Sequence, residues 1–211
     1  MNKPVAWPKL RHPLVAILRG IRSQETEAVV AALIETGFEA IEIPLNSPEP
    51  FVSIEKAAKL APAGVWIGAG TVLTADDVDW LHDAGGRLMV SPNVDPQVIR
   101  RAARHGMATM PGVFTPTEAF AAIGAGASAL KFFPASVLGA QGIKAVCAVL
   151  PKDVPVAAVG GVSEADFAAY AAAGISCFGL GSSLYKAGFT GAEVRERAER
   201  AVAAWKKIAG D

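Results

Sequence analysis

The chain has 211 residues, of which 52% are hydrophobic and 19% are charged, and its 20 basic and 20 acidic side chains cancel to a formal net charge of +0. This size and composition favour one compact domain with a large core over two domains. The charge balance and the lack of a basic run argue against a nucleic-acid-binding or membrane-surface protein. A charged ligand would therefore have to be held by a local site.

The N-terminal segment and the cysteines are typical of a cytoplasmic protein. Residues 1–11 contain two prolines and lack the apolar core of a signal peptide. Cys147 and Cys177 are isolated and have no CxxC spacing, as expected for core residues in a reducing compartment. The longest uncharged stretch, 168–185, is interrupted by glycines and serines, so we interpret it as a helix end followed by a strand.

Short apolar runs alternate along the chain with segments of helical periodicity. They predict eight strands, at 14–18, 40–45, 65–69, 88–91, 108–113, 129–133, 155–159 and 177–181. Glycines mark the predicted helix ends, because glycine adopts the left-handed conformation at little cost: Gly37, Gly85, Gly106, Gly126 and Gly174. Residues typical of N-caps mark the predicted helix starts: Ser23, Thr74, Asp95, Thr115, Ser163 and Thr190.

Eight strand-helix units in about 200 residues predict a (β/α)₈ TIM barrel. We expect one domain over residues 1–211, with residues 1–11 as a short N-terminal cap. A doubly wound open sheet is the alternative, since the same alternation allows it. Against this alternative, the segment Gly68-Ala69-Gly70 lacks the third glycine of the dinucleotide-binding fingerprint and has Leu73 in its place.

Lys131 lies in the middle of an apolar run, residues 129–134, that predicts a buried strand. A buried ammonium must be paired or lose its proton, because desolvation lowers the pKa of an amine. The neutral amine is a nucleophile. The alternative is a lysine at a strand end whose side chain reaches solvent. The strand by itself leaves both interpretations open.

Glu42 raises the same question in the predicted strand 40–45. Period-2 alternation directs Ile41 and Ile43 to one face of this strand and Glu42 to the other. Both faces of a barrel strand are covered, so we expect a carboxylate in the interior. It is either half of a structural ion pair with Lys131 or Arg19, or a proton shuttle beside an amine nucleophile.

Glycines follow the last two predicted strands. Val159-Gly160-Gly161 ends the seventh strand, and Gly181-Ser182 ends the eighth. Glycines allow backbone N–H groups to approach a ligand closely, and barrels commonly bind phosphate at these two strand ends. The alternative is a pair of tight turns with no ligand.

The histidines predict neither a metal site nor a Ser-His-Asp triad. His12, His82 and His105 are scattered without ligand-like spacing, and none follows a predicted strand. We interpret them as surface or helix-end residues and expect no metal and no cofactor.

Several motifs in order resemble one known family, the 2-keto-3-deoxy-6-phosphosugar-acid aldolases, which are class I pyruvate aldolases. The resemblance covers nearly the whole chain. It is carried by the motifs Ala16-Ile17-Leu18-Arg19-Gly20, Glu39-Ala40-Ile41-Glu42-Ile43-Pro44, Gly68-Ala69-Gly70-Thr71-Val72, Ser91-Pro92-Asn93, Met110-Pro111-Gly112, Leu130-Lys131-Phe132-Phe133-Pro134 and Ala158-Val159-Gly160-Gly161-Val162.

The resemblance implies a homotrimeric (β/α)₈ barrel that acts on a phosphorylated sugar acid without a metal. The roles that it implies are a Schiff-base lysine at Lys131, a proton donor and acceptor at Glu42, carboxylate binding by Arg19 and Thr71, and phosphate binding by Gly161, Gly181 and Ser182.

At two places the chain departs from the gluconate-type members of this family and resembles its galactonate-type branch. Gluconate-type members tend to read Thr-Leu-Arg-Thr where this chain has Pro44-Leu45-Asn46-Ser47, and they carry threonine where it has Val159. The missing arginine leaves Arg19 as the nearest substitute at the carboxylate, and Val159 becomes the specificity residue. The resemblance thus implies cleavage of 2-dehydro-3-deoxy-6-phosphogalactonate to pyruvate and glyceraldehyde 3-phosphate. The gluconate epimer as main substrate and a non-catalytic phosphosugar-binding barrel are the alternatives.

Overall fold

Residues 5–210, described by a computed structural model, form a closed barrel of eight parallel strands in chain order. The strands are β1 (Leu14–Ile17), β2 (Ala40–Pro44), β3 (Trp66–Gly70), β4 (Leu88–Ser91), β5 (Ala108–Val113), β6 (Leu130–Phe132), β7 (Val156–Val159) and β8 (Cys177–Leu180). The helices are α1 (Thr26–Glu35), α2 (Pro50–Leu60), α3 (Ala75–Asp83), α4 (Pro96–Arg104), α5 (Pro116–Ala125), α6 (Ala135–Cys147), α7 (Phe167–Ala172) and α8 (Gly191–Ala209). Because β8 pairs with β1, the TIM barrel is confirmed and the open-sheet alternative is wrong.

The helix boundaries follow the predicted signals closely. All five predicted stop glycines have positive φ, between 72° and 101°. The side chains of Thr74, Asp95, Thr115 and Thr190 accept hydrogen bonds from the first turns of their helices. Ser163 precedes a 3₁₀ turn, Glu164–Asp166, that leads into α7. These local bonds satisfy N–H groups that a helix start leaves without partners.

Ser23 is not an N-cap, and that prediction is wrong. Helix α1 begins three residues later, at Thr26, after Glu25. The Ser23 hydroxyl donates instead to the carboxylate of Glu49 at 3.2 Å, across to the next loop of the barrel. The Ser23 hydroxyl therefore bonds to a residue distant in sequence instead of to the backbone of the helix that follows it.

The barrel has two apolar layers, one inside the strands and one between strands and helices. Val15, Leu88, Val90 and Met110 belong to the interior cluster, and Trp7 packs against it from the N-terminal segment. Residues 1–4 of the predicted cap lie outside the described range, so a cap over residues 1–11 stays a prediction. At the C-terminal ends of the strands, polar side chains such as Glu42 and Lys131 join apolar ones such as Val159.

None of the histidines or cysteines within residues 5–210 lines the cavity at the C-terminal ends of the strands. His82 lies in α3 and His105 follows α4, where its Nε2 is 2.7 Å from Asp79. His12 is buried, so the prediction of a surface or helix-end position is wrong for it. Cys147 and Cys177 are free thiols. Cys177 is buried in the interior cluster, as predicted for a core residue, whereas Cys147 is only partly buried against the outer layer. Within residues 5–210, no helix is both long and apolar enough to cross a membrane.

Candidate active site

One cavity of about 680 Å³ opens where the strands reach their C-terminal ends. All of the predicted site residues line it, namely Arg19, Glu42, Thr71, Lys131, Val159, Gly161, Gly181 and Ser182. The barrel therefore brings together positions from six different strand ends, as expected for a TIM barrel.

Strand alternation explains why Lys131 and Glu42 point inward. Lys131 follows Ala129 by two residues, and Glu42 follows Ala40 by two, and both alanines belong to the interior cluster. Arg19 follows β1 by two residues, is exposed, and lines the mouth of the same cavity. Because side chains two residues apart lie on one face of a strand, each polar group extends the interior layer toward the cavity mouth.

Lys131 and Glu42 are both buried, with 5% and 2% of their surfaces exposed, so Lys131 does not reach solvent from a strand end. Burial lowers the pKa of Lys131 to about 8, opposed by the charge of Glu42 and assisted by that of Arg19. Burial likewise raises the pKa of Glu42 to about 7, opposed by the charges of Lys131 and Arg19. The two shifts are opposite in direction, and each favours the neutral form of a buried group, so Lys131 can hold a neutral amine and Glu42 can hold a proton.

Glycine on β3 makes room for the Glu42 carboxylate. A Cβ atom built on Gly70 would lie 2.0 Å from Oε2 of Glu42, so no other residue fits there without moving the carboxylate. Within residues 5–210, this Oε2 is buried and accepts no hydrogen bond. An unsatisfied buried carboxylate oxygen is costly, and in a cavity it is available to a ligand hydroxyl or a water.

Thr71 follows β3 directly and has a left-handed backbone, with φ of +56°. A β-branched residue rarely adopts this conformation, which costs about 1–3 kcal/mol and is common at ligand sites. The neighbouring loop provides Arg19, whose Nη1 donates to Oδ1 of Asn46 at 2.6 Å. A hydroxyl and a guanidinium thus line the cavity near its mouth.

The turns after β7 and β8 present backbone groups to the cavity. Gly160 and Gly161 have φ of +92° and +71°, which glycine tolerates best. After β8, the N–H groups of Leu184 and Tyr185 donate to the carbonyl of Gly181 at 2.9 and 2.8 Å, which forms one helical turn. Within residues 5–210, no group accepts a hydrogen bond from the N–H of Gly161 or Ser182. Both N–H groups are available to an anion.

Val159 closes the side of the cavity between these turns. It is 4% exposed, and its Cγ2 lies 2.7 Å from where a Cβ of Gly179 would be. The glycine on β8 therefore allows valine to pack closely at this position.

The cavity also contains residues that were not predicted. The Phe133 ring centroid lies 5.0 Å from Nζ of Lys131, and Pro92, Tyr185 and Lys186 also line the cavity. The sequence could have predicted Phe133, because it follows Lys131 by two residues and so lies on the same face. Tyr185 and Lys186 lie in the loop after β8, where no periodic pattern indicates which side chains turn inward.

Comparison with known proteins identifies the family. A family model described as KDPG and KHG aldolase matches residues 9–202. The chain belongs to this aldolase family. Its members are lyases, and the buried lysine and carboxylate described above lie in the cavity of the barrel that this chain forms.

Within the aldolase family, the chain is similar to individual proteins named for one substrate. The chain is 66% identical over 206 residues to a probable 2-dehydro-3-deoxy-6-phosphogalactonate aldolase of Rhizobium meliloti (strain 1021), covering 98% of this chain and 97% of the relative. It is 48% identical over 195 residues to the 2-dehydro-3-deoxy-6-phosphogalactonate aldolase of Escherichia coli (strain K12), covering 92% and 95%. A solved structure described as native KDPGal has a TM-score of 0.94 and 46% identity, covering 98% of this chain and 100% of that chain.

Proposed function

We propose that the protein is a class I aldolase that cleaves 2-dehydro-3-deoxy-6-phosphogalactonate to pyruvate and D-glyceraldehyde 3-phosphate. The observation that carries the proposal is the buried pair of Lys131 and Glu42 in the barrel cavity. The 66% and 48% identity to aldolases named for this substrate supports the galactonate epimer.

Lys131 is the nucleophile in this mechanism. Its neutral amine adds to the C2 ketone, and loss of water leaves a protonated imine bonded to Nζ. The lowered pKa of Lys131 makes the neutral amine available near neutral pH. The positive imine nitrogen then accepts the electron pair of the C3–C4 bond when that bond breaks.

Glu42 is the proton carrier. As a carboxylate it removes the proton from the C4 hydroxyl, directly or through a water, while the C3–C4 bond breaks to release the aldehyde. The enamine that remains on Lys131 takes a proton at C3 from Glu42, and hydrolysis of the imine releases pyruvate. The pKa of about 7 suits Glu42 to both directions of proton transfer.

The two ends of the substrate require separate anion sites. We assign the pyruvyl carboxylate to Arg19 and the hydroxyl of Thr71, which line the cavity near β1 and β3. We assign the phosphate to Gly161, Gly181 and Ser182, whose turns offer backbone N–H groups. Lys186 adds a positive charge to the cavity wall formed by the loop after β8.

Electron withdrawal by the imine requires no Lewis acid, so we propose a metal-independent reaction without a cofactor. A chelator should leave the turnover number unchanged after dialysis. We also propose a cytoplasmic homotrimer, from the family resemblance and the two free thiols. Light scattering of the purified protein at working concentration tests the trimer.

Retro-aldol turnover on the two purified C4 epimers tests the proposed function. We expect pyruvate release from the galactonate epimer with a higher kcat/KM than from the gluconate epimer. Preference for the gluconate epimer would replace the proposed substrate. Absence of turnover on both, with phosphosugar binding retained, would indicate a non-catalytic barrel.

A further inference from the structure

The loop after β2 is fastened to the loop after β1 by a series of hydrogen bonds. The Arg19 guanidinium donates to Asn46 at 2.6 Å, and the Gly20 N–H donates to the Ser47 hydroxyl at 2.9 Å. Further along, the Ser23 hydroxyl donates to Glu49 at 3.2 Å. The pairing of β1 with β2 thus continues beyond the strands through side chains.

Asn46 contacts Arg19, whose guanidinium lines the cavity. An arginine side chain is long and has many rotamers, so an unanchored guanidinium spends part of its time in solvent. The bond from Nη1 to Asn46 restrains the position of the guanidinium and leaves its other donors for a ligand. Because the Asn46 acceptor is a neutral amide oxygen, the full positive charge of Arg19 is retained.

We propose that Asn46 is a positioning residue, which holds the Arg19 guanidinium at the cavity mouth in the orientation that receives the carboxylate of the pyruvyl half of the substrate. The inference rests on the proposed function and extends it to a residue outside the cavity wall. The neighbouring residue Ser47 is 7% exposed, and its hydroxyl accepts a hydrogen bond from the N–H of Gly20, which holds the same loop in place.

The position of Arg19 affects the pKa values of the other charged groups in the cavity. The charged groups that line the cavity are Arg19, Glu42, Lys131 and Lys186. The charge of Arg19 lowers the pKa of both Lys131 and Glu42. A change that moves or neutralises Arg19 therefore raises both pKa values and shifts the acid limb of the pH profile to higher pH.

The test measures the pyruvate concentration that gives half-maximal borohydride trapping in Asn46→Ala, Arg19→Ala and the double variant. We expect Asn46→Ala to raise this concentration about three- to tenfold, as for the loss of one hydrogen bond. In the Arg19→Ala background, Asn46→Ala should have no further effect, because it acts through Arg19. Gln24→Ala, which removes an exposed amide from the β1–α1 loop, is the matched control and should change nothing.

Asn46→Asp supplies the second readout. The new carboxylate should hold Arg19 but neutralise its charge, so we expect weaker pyruvate trapping and an acid limb shifted to higher pH. An Asn46→Ala effect of equal size with and without Arg19, or unchanged half-saturation in all Asn46 variants, would overturn the inference. Absence of any adduct in the unsubstituted protein would instead contradict the proposed function.

Discussion

The proposed chemistry depends on the amine of Lys131, which is enclosed by the barrel with 5% of the residue surface exposed. Burial of this extent disfavours the ammonium, unlike the environment of a lysine at a strand end that reaches solvent. Glu42 was predictable as an inward carboxylate from alternation alone. Its room beside Gly70 was not, because that contact depends on the register of β2 against β3.

The pH dependence of kcat/KM follows from this pair. Lowering the pH protonates the amine of Lys131, with a pKa of about 8, and the carboxylate of Glu42, with a pKa of about 7. Each protonation removes the form that the reaction uses, so kcat/KM should fall as pH falls, by about tenfold per unit and more steeply below both values. A profile that stays flat between about pH 6 and 9 would contradict the roles of both groups. Glu42→Gln should leave a shallower acid limb.

Val159 is predicted to set the preference between C4 epimers. The epimers differ in the direction of one hydroxyl, which valine cannot hydrogen-bond, and a buried unpaired hydroxyl costs roughly 1–3 kcal/mol. Val159→Thr should therefore shift the ratio of kcat/KM values toward the gluconate epimer by about 5- to 150-fold. Val156→Thr, at the other end of the same strand, controls for the effect of the substitution on stability. An unchanged ratio of kcat/KM values would show that Val159 does not set the preference between the epimers.

At the scale of elements, the strand-end glycines were predicted as a group but differ in what surrounds them. A Cβ on Gly161 would lie 2.4 Å from the Ser136 hydroxyl, and φ there is +71°, so any substitution strains the fold. Gly181 has no such restriction, because a Cβ there would meet nothing within 4 Å. Sequence alone could not separate the two, since the difference lies in contacts with α6 and in cavity space.

Gly181→Val is accordingly the cleaner test of the phosphate site. The added side chain enters open cavity space, so we expect a higher KM for the phosphorylated substrate and little change for its unphosphorylated analogue. Gly124→Ala, on the helical α5 with open space around it, is the control for a tolerated glycine substitution. If KM rises equally for both substrates, the phosphate does not bind at this turn.

At the scale of the molecule, the barrel was predictable because each level of the sequence agrees with it. The apolar runs, the stop glycines and the N-cap residues all predict the same eight strand-helix units. The wrong N-cap prediction at Ser23 therefore leaves the predicted topology unchanged. The contacts that link different loops were not predictable, as with Arg19 and Asn46, which are 27 residues apart in sequence. The cavity therefore combines predicted strand-end residues with loop partners that only the folded chain brings together.

Covalent trapping of pyruvate on Lys131 tests the proposed imine most directly. Borohydride added with pyruvate should reduce the imine to a stable adduct, abolish turnover and appear by peptide mass spectrometry on the peptide that contains Lys131. Lys131→Ala should give neither adduct nor turnover while the protein stays folded. Labelling of a surface lysine such as Lys144 in place of Lys131, or full activity after reduction with pyruvate, would contradict the class I mechanism.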